Sequence, residues 1–212
     1  MGKYFSFENQ MMVRVIKKNT ILHFPEMQDK YVYLLKEGCI KIAVVNKDGK
    51  EAIKYLVKPG DIFGEISLLG VAPSCEDYAT ALDDSVIYFS GVQQIEHWMT
   101  VYPELRSAIR QNLGRRIRKA EDRFLSMIFK DAHARIWKFL NELAMEFGRR
   151  TDQGYEIKNF LTHDDIAKLT DTSRQTVNRI LNQLRDQKLI AYNTEIIQIP
   201  FSSALRHNNL GI

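Results

Sequence analysis

The stretch THDDIAKLTDTSRQTVNRILNQLRDQKLI, residues 162–190, decides the fold of this chain. Thr162 to Asp165 is a Thr-x-x-Asp helix start, and Ile166 and Leu169 follow at the spacing of one buried helical face. Thr172-Ser173 then starts a second helix. At 100° per residue, Val177, Ile180, Leu181 and Leu184 fall on one side of it, and Arg174, Gln175, Asn178, Arg179, Asn182 and Arg185 on the other. Two short helices at a tight turn, with no carboxylate on that polar face, are expected. Asp171 stands where such turns usually carry Gly, at a position that calls for a positive φ. Asp tolerates that conformation better than most residues.

The polar face suits nucleic acid. Arg bonds guanine O6 and N7 bidentately, and Gln or Asn does the same to adenine N6 and N7. Helix N-termini and hydroxyls receive phosphate. The expected contacts are Thr172, Ser173, Arg174, Gln175, Asn178 and Arg179. Two blander readings compete. Any exposed helix sets polar residues opposite an apolar stripe, and Gln175, three residues after Thr172, also fits the closing position of a capping box. After the second helix, Lys188–Tyr192 and Ile196–Ile199 are β-rich runs on either side of Asn193-Thr194. They predict a β-hairpin wing, so the motif is a winged helix-turn-helix.

Working toward the N-terminus, 131–147 has the pattern of an amphipathic helix with Ile136, Phe139, Leu140 and Leu143 inward, ended by Gly148. Residues 102–128 predict a longer helix opened by Pro103. Leu105, Ile109, Leu113, Ile117, Ala120, Phe124 and Met127 form a narrow stripe along it. That stripe fits a dimer seam or packing on the chain's own barrel, and both can hold along different turns. From Val13 to Phe89 short β-rich runs (31–35, 40–45, 52–57 and 86–89) alternate with turns at Gly38, Gly49, Gly60 and Gly64, the pattern of a small antiparallel barrel or jelly roll. The fold class is therefore α+β: a β-roll over 1–101, a dimerisation helix over 102–128 and a winged helix-turn-helix over 129–212.

Composition sets the outer limits. The 212 residues carry a formal charge of +4, split unevenly: 11 basic and 13 acidic residues in 1–101, against 19 and 13 in 102–212. The C-terminal half is thus the candidate for a polyanion. No apolar run approaches the roughly 18 residues that span a bilayer. No secretory signal is visible, and Cys39 and Cys75 are the only cysteines. A reduced, cytoplasmic setting is expected, without membrane association or a four-cysteine metal site.

Roll, long helix and winged helix-turn-helix, in that order, resemble the catabolite activator and fumarate–nitrate regulator family of bacterial transcription factors along nearly the whole chain. The likeness rests on Lys50-Glu51, on Pro59-Gly60-Asp61-Ile62-Phe63-Gly64-Glu65, and on Ser173 to Leu181. It implies a homodimer on double-stranded DNA, each recognition helix reading half of an inverted repeat, with RNA polymerase a candidate partner. It also implies an effector pocket at Gly64, Glu65, Ile66, Ser67, Cys75, Glu76, Ala120 and Glu121. In the cyclic-nucleotide members a Gly-Glu pair opens a short helix that receives the phosphate, and a nearby Arg neutralises it. Here that Arg position falls at Cys75, and the residues that reach the base fall at Ala120 and Glu121. Residues 59–105 contain no Lys or Arg, so Arg106 or Arg110 would have to reach in. The expected effector is unidentified and is not cyclic AMP.

Iron–sulfur and haem sensing, as in redox members, lack support: no N-terminal cysteine cluster is present, and Cys75, His23, His97, His133, His163 and His207 show no paired ligand spacing. No cofactor is expected. A cyclic-nucleotide-sensing module acting through a protein partner is the alternative, but it would have no use for a basic recognition helix and wing. No nucleophile elbow, metalloprotease helix or phosphate-binding loop suggests an enzyme.

Overall fold

A computed structural model describes residues 7–23, 31–69 and 77–204. Two compact units are present, Met1–Glu121 and Asp122–Ile212.

The first unit is built on two antiparallel sheets. One has the order β1-β8-β3-β6, from Met12–Ile16, Ser85–Gly91, Tyr31–Glu37 and Ile62–Phe63. The other has the order β2-β7-β4-β5, from Ile21–His23, Asp77–Ala81, Ile40–Val45 and Glu51–Val57. Side chains alternate across a strand, which explains why four successive residues of β3 are all buried. Tyr33 and Leu35 point into the core shared by the two sheets, with Ile40, Ile42, Phe63 and Ile87. Val32 and Leu34 point the other way, onto Ile95 and Trp98 of α1 (Val92–Val101) and Leu105 and Ile109 of α2 (Pro103–Phe129). Each such buried Leu or Ile contributes about 1.5–3 kcal/mol.

The long helix does run uninterrupted from Pro103, through Gly114. Its stripe has two fates. Leu105 and Ile109 are buried in the roll cluster and Leu113 packs against it. Ile117, Ala120, Phe124 and Met127 are exposed in the single chain, Ile117 at 61%, Phe124 at 58% and Met127 at 39%.

In the second unit, α3 (Ala132–Phe147) starts at Asp131, whose side chain accepts from the Ala134 amide at 2.8 Å, and ends at Gly148. Its buried residues are Ile136, Trp137, Leu140, Leu143 and Ala144. Trp137 thus takes the inward place expected of Phe139, which is half-buried. α4 (His163–Thr170) and α5 (Arg174–Asp186) follow. The wing is larger than a hairpin. Its sheet has the order β11-β12-β10-β9, from Ala191–Tyr192, Ile196–Pro200, Gly154–Lys158 and Arg149–Arg150. The first wing strand is also shorter than expected. Lys188 adopts a left-handed φ of 58°, and the Lys188 and Leu189 amides donate back to Arg185 and Leu184 carbonyls, so this segment closes α5 and strand geometry begins only at Ala191. No helix among the described residues is long and apolar enough to cross a membrane.

Candidate functional site

The turn between α4 and α5 is fixed by its own side chains. Thr162 and Asp165 make both arms of a capping box at the start of α4. Asp171 ends that helix at φ 52°, ψ 54°, the left-handed geometry expected of it. Ser173 caps α5 by accepting from the Thr176 amide at 3.1 Å. The helix therefore starts from Ser173 and no box is closed to Gln175. Gln175 is exposed, and its side chain makes no hydrogen bond among the described residues.

Val177, Ile180, Leu181 and Leu184 are buried beneath α5, which leaves Arg174, Gln175, Asn178 and Arg179 exposed on the opposite face. Arg179 donates to Gln183 at 3.2 Å. Asn182 is half-buried, and its Oδ1 accepts from the Tyr192 hydroxyl of the wing at 3.1 Å. Thr172 is half-buried with its hydroxyl 3.0 Å from that of Thr170. The carboxylate-free face ends at Asp186, which pairs with Arg185 at 3.3 Å. Among the described residues, Arg185 thus has a carboxylate neighbour, unlike Arg174 and Arg179. The arrangement presents guanidinium and amide donors over a rigid apolar base, a geometry suited to base edges and phosphates.

The roll contains a second polar site. Gly64 has φ +79°, and a Cβ there would lie 2.7 Å from the Tyr31 carbonyl, so only glycine lets the chain turn inward at this point. Glu65 follows, fully buried at the head of a 3-10 turn, Glu65–Leu69, in which Ile66 and Ser67 are half-buried. Its Oε1 accepts from Asn112 Nδ2 at 3.3 Å and is paired with Arg116 Nη1. Its Oε2 has no partner among the described residues. The Arg116 guanidinium lies 4.0 Å from the centroid of the Tyr55 ring, whose phenol is pushed well above its ordinary range by burial, with Arg116 acting in the opposite direction. Arg115 reaches Asp61 at 3.5 Å, a carboxyl raised by burial and held back by Lys58.

A cation thus does enter the roll, although residues 59–105 have none. It is Arg116 of α2 rather than Arg106 or Arg110, which are exposed. The signal was present in the helix: Leu105, Ile109, Asn112 and Arg116 follow at spacings of four, three and four, so the buried stripe turns polar where it meets Glu65. Ala120 and Glu121 lie further along α2 and are exposed in the single chain. Cys75 and Glu76 fall outside the described residues, as do His207 and the side chain of His23. Asp77, beside them in sequence, is on β7 and pairs with Lys54 at 2.8 Å. Among the described residues, no group of three or more His, Cys, Asp or Glu is placed to hold a metal ion.

Known proteins match both halves. Residues 13–101 match the cyclic nucleotide-binding domain and residues 134–207 the Crp-like helix-turn-helix domain. The chain is 30% identical over 181 residues to the lactate racemization regulatory protein of Lactiplantibacillus plantarum, with 82% of this chain and 80% of that protein covered. It is 29% identical to the cAMP-activated global transcriptional regulator CRP of Pasteurella multocida, with 86% of each covered. The structure of FixK2 from Bradyrhizobium japonicum superposes with a TM-score of 0.78 at 22% identity, covering 93% of this chain and 96% of that one. With a β-roll, a long helix and a Crp-like helix-turn-helix in one chain, and relatives that are transcription regulators, this protein belongs to the CRP/FNR family of DNA-binding transcription regulators.

Proposed function

We propose that the protein is a cytoplasmic homodimer that binds an inverted repeat in duplex DNA and admits or excludes RNA polymerase there. In this reading residues 1–101 form the sensor, 102–128 the dimerisation helix and 129–212 the DNA-binding part. The observation that carries it is the exposed face of α5, where Arg174, Gln175, Asn178 and Arg179 stand opposite a wholly buried apolar side. Arg174, Gln175 and Arg179 discriminate bases. Thr172 and Ser173, at the N-terminal end of α5, receive phosphate.

Sites selected from random duplexes test this directly. Arg179→Ala is expected to cost about 1–3 kcal/mol on the selected site and to relax selectivity. Equal losses on all sequences would make Arg179 a phosphate contact. Binding should also weaken steeply with salt through counterion release. Salt-insensitive binding would contradict the DNA reading.

The effector of the roll is, in this reading, not cyclic AMP, although the Pasteurella relative is named as activated by it. Arg116 is already paired with Glu65 and Arg115 with Asp61, so a phosphodiester would meet cations that have carboxylate partners. Calorimetric titration of cyclic AMP into the purified protein should show no binding at low micromolar concentration, and DNA affinity should not depend on the nucleotide. Tight binding coupled to DNA affinity would overturn the claim.

A further inference from the structure

The carbonyls at the end of α4 are held by two arginines from outside the helix-turn-helix. A helix leaves its last four carbonyls without intrahelical donors, and its C-terminus attracts cations. Arg123 of α2 donates through Nη2 to the Lys168 carbonyl at 2.6 Å. Arg135 of α3 donates through Nε to the Thr170 carbonyl and through Nη2 to the Asp171 carbonyl, both at 2.9 Å. Its remaining nitrogen, Nη1, donates to the Lys130 carbonyl at 2.7 Å, between α2 and α3. One planar guanidinium therefore joins the α2–α3 junction to the turn from which α5 departs.

That turn needs support. A left-handed conformation is unfavourable for a residue with a Cβ, and here it is adopted by Asp171 at φ 52°. Around it, the Thr172 amide donates to the Ala167 carbonyl at 3.0 Å, and the Thr170 hydroxyl to the Ile166 carbonyl at 2.7 Å. The bonds from Arg135 lie on the two carbonyls that flank and include the left-handed residue. A small rotation of this turn would swing Arg174, Gln175 and Arg179 away from any base edge, since base readout depends on bidentate geometry while attraction to phosphate depends mainly on charge.

We propose that Arg135, assisted by Arg123, is a positioning residue for DNA recognition: it fixes the left-handed turn at Asp171 and thereby the presentation of α5. The proposal deepens the DNA reading and rests on it. It also specifies the side chain, because an ammonium is a compact donor that cannot span three carbonyls in the plane of a guanidinium.

The test uses Arg135→Lys, which keeps the charge and removes the fork, and Arg123→Lys as a milder companion. Affinity is measured in the full-length protein for a duplex carrying the selected inverted repeat and for a scrambled duplex of equal length, over a range of salt. For Arg135→Lys we expect about tenfold weaker binding to the selected site, with the scrambled duplex and the salt slope unchanged. Thermal melting identifies a variant that has lost its fold; should Arg135→Lys be one, Arg123→Lys carries the test, with a smaller selective loss expected. Wild-type binding to both duplexes by a folded variant would overturn the proposal. So would equal losses on both, which would make the arginine a phosphate contact. Failure of the wild type itself to prefer the selected site would instead strike the DNA reading.

Discussion

Ile117→Glu should convert the protein from a dimer to a monomer. Ile117 is 61% exposed in the single chain, and Phe124, Ile128 and Phe129 continue the uncovered apolar run at 58%, 57% and 74%. Ile117, Phe124 and Ile128 follow at spacings of seven and four, and large apolar side chains lined up in this way rarely face water without a partner; a second copy of α2 offers a matching stripe. A symmetric seam would receive two like charges from one substitution, each desolvated without a counter-ion. Sedimentation velocity is the direct readout, with a halved mass at concentrations where the wild type is dimeric. The consequence for DNA is larger still. Two linked recognition helices bind two half-sites with an avidity of about 10²–10⁴ over one alone. Affinity for the full inverted repeat should fall by about that factor, and affinity for an isolated half-site should change little. If the variant sediments as an unchanged dimer, the seam lies elsewhere.

Arg116→Ala is expected to destabilise the roll by about 3–5 kcal/mol. Among the described residues, the mutation leaves Glu65, which is 0% exposed, with Asn112 as its remaining side-chain donor, and Oε2 without a partner. Breaking a buried pair from one side costs more than the pair contributes, because the surviving charge cannot regain its hydration. For a domain of this size the melting temperature should drop by roughly 10–20 °C. Adding Glu65→Gln to the same chain removes the stranded charge and should recover most of the loss. A double mutant no more stable than Arg116→Ala would mean that Arg116 stabilises the roll chiefly by stacking on Tyr55.

The local features of the fold were legible residue by residue. Glycines 38, 49, 60 and 64 all have positive φ, as turn chemistry requires. The capping box at Thr162, the left-handed Asp171 and the buried stripe of α5 are likewise encoded within a few residues of where they act. The short strands were less visible. β6, β9 and β11 have two residues each, too few for an alternating pattern, and β10 is defined chiefly by its pairing with β12 some forty positions away. The helix α1 was missed because Val92–Val101 follows directly on β8, with no breaker except Gly91 to separate them.

What the sequence determined by itself is therefore the kind of molecule: roll, helix and basic recognition helix. Periodicity, caps and turns are short-range properties that each segment expresses on its own. What only the tertiary structure decided is which distant groups meet. Arg116 lies 51 positions from Glu65, and Arg135 lies 36 from Asp171. Helical spacing sets Arg116 in line with the buried Leu105, Ile109 and Asn112, but no local rule picks out the distant group that either arginine meets. Folding does so, because a buried carboxylate and a row of unpaired helix carbonyls are costly to leave unmatched, and these are the guanidiniums whose helix faces carry them there.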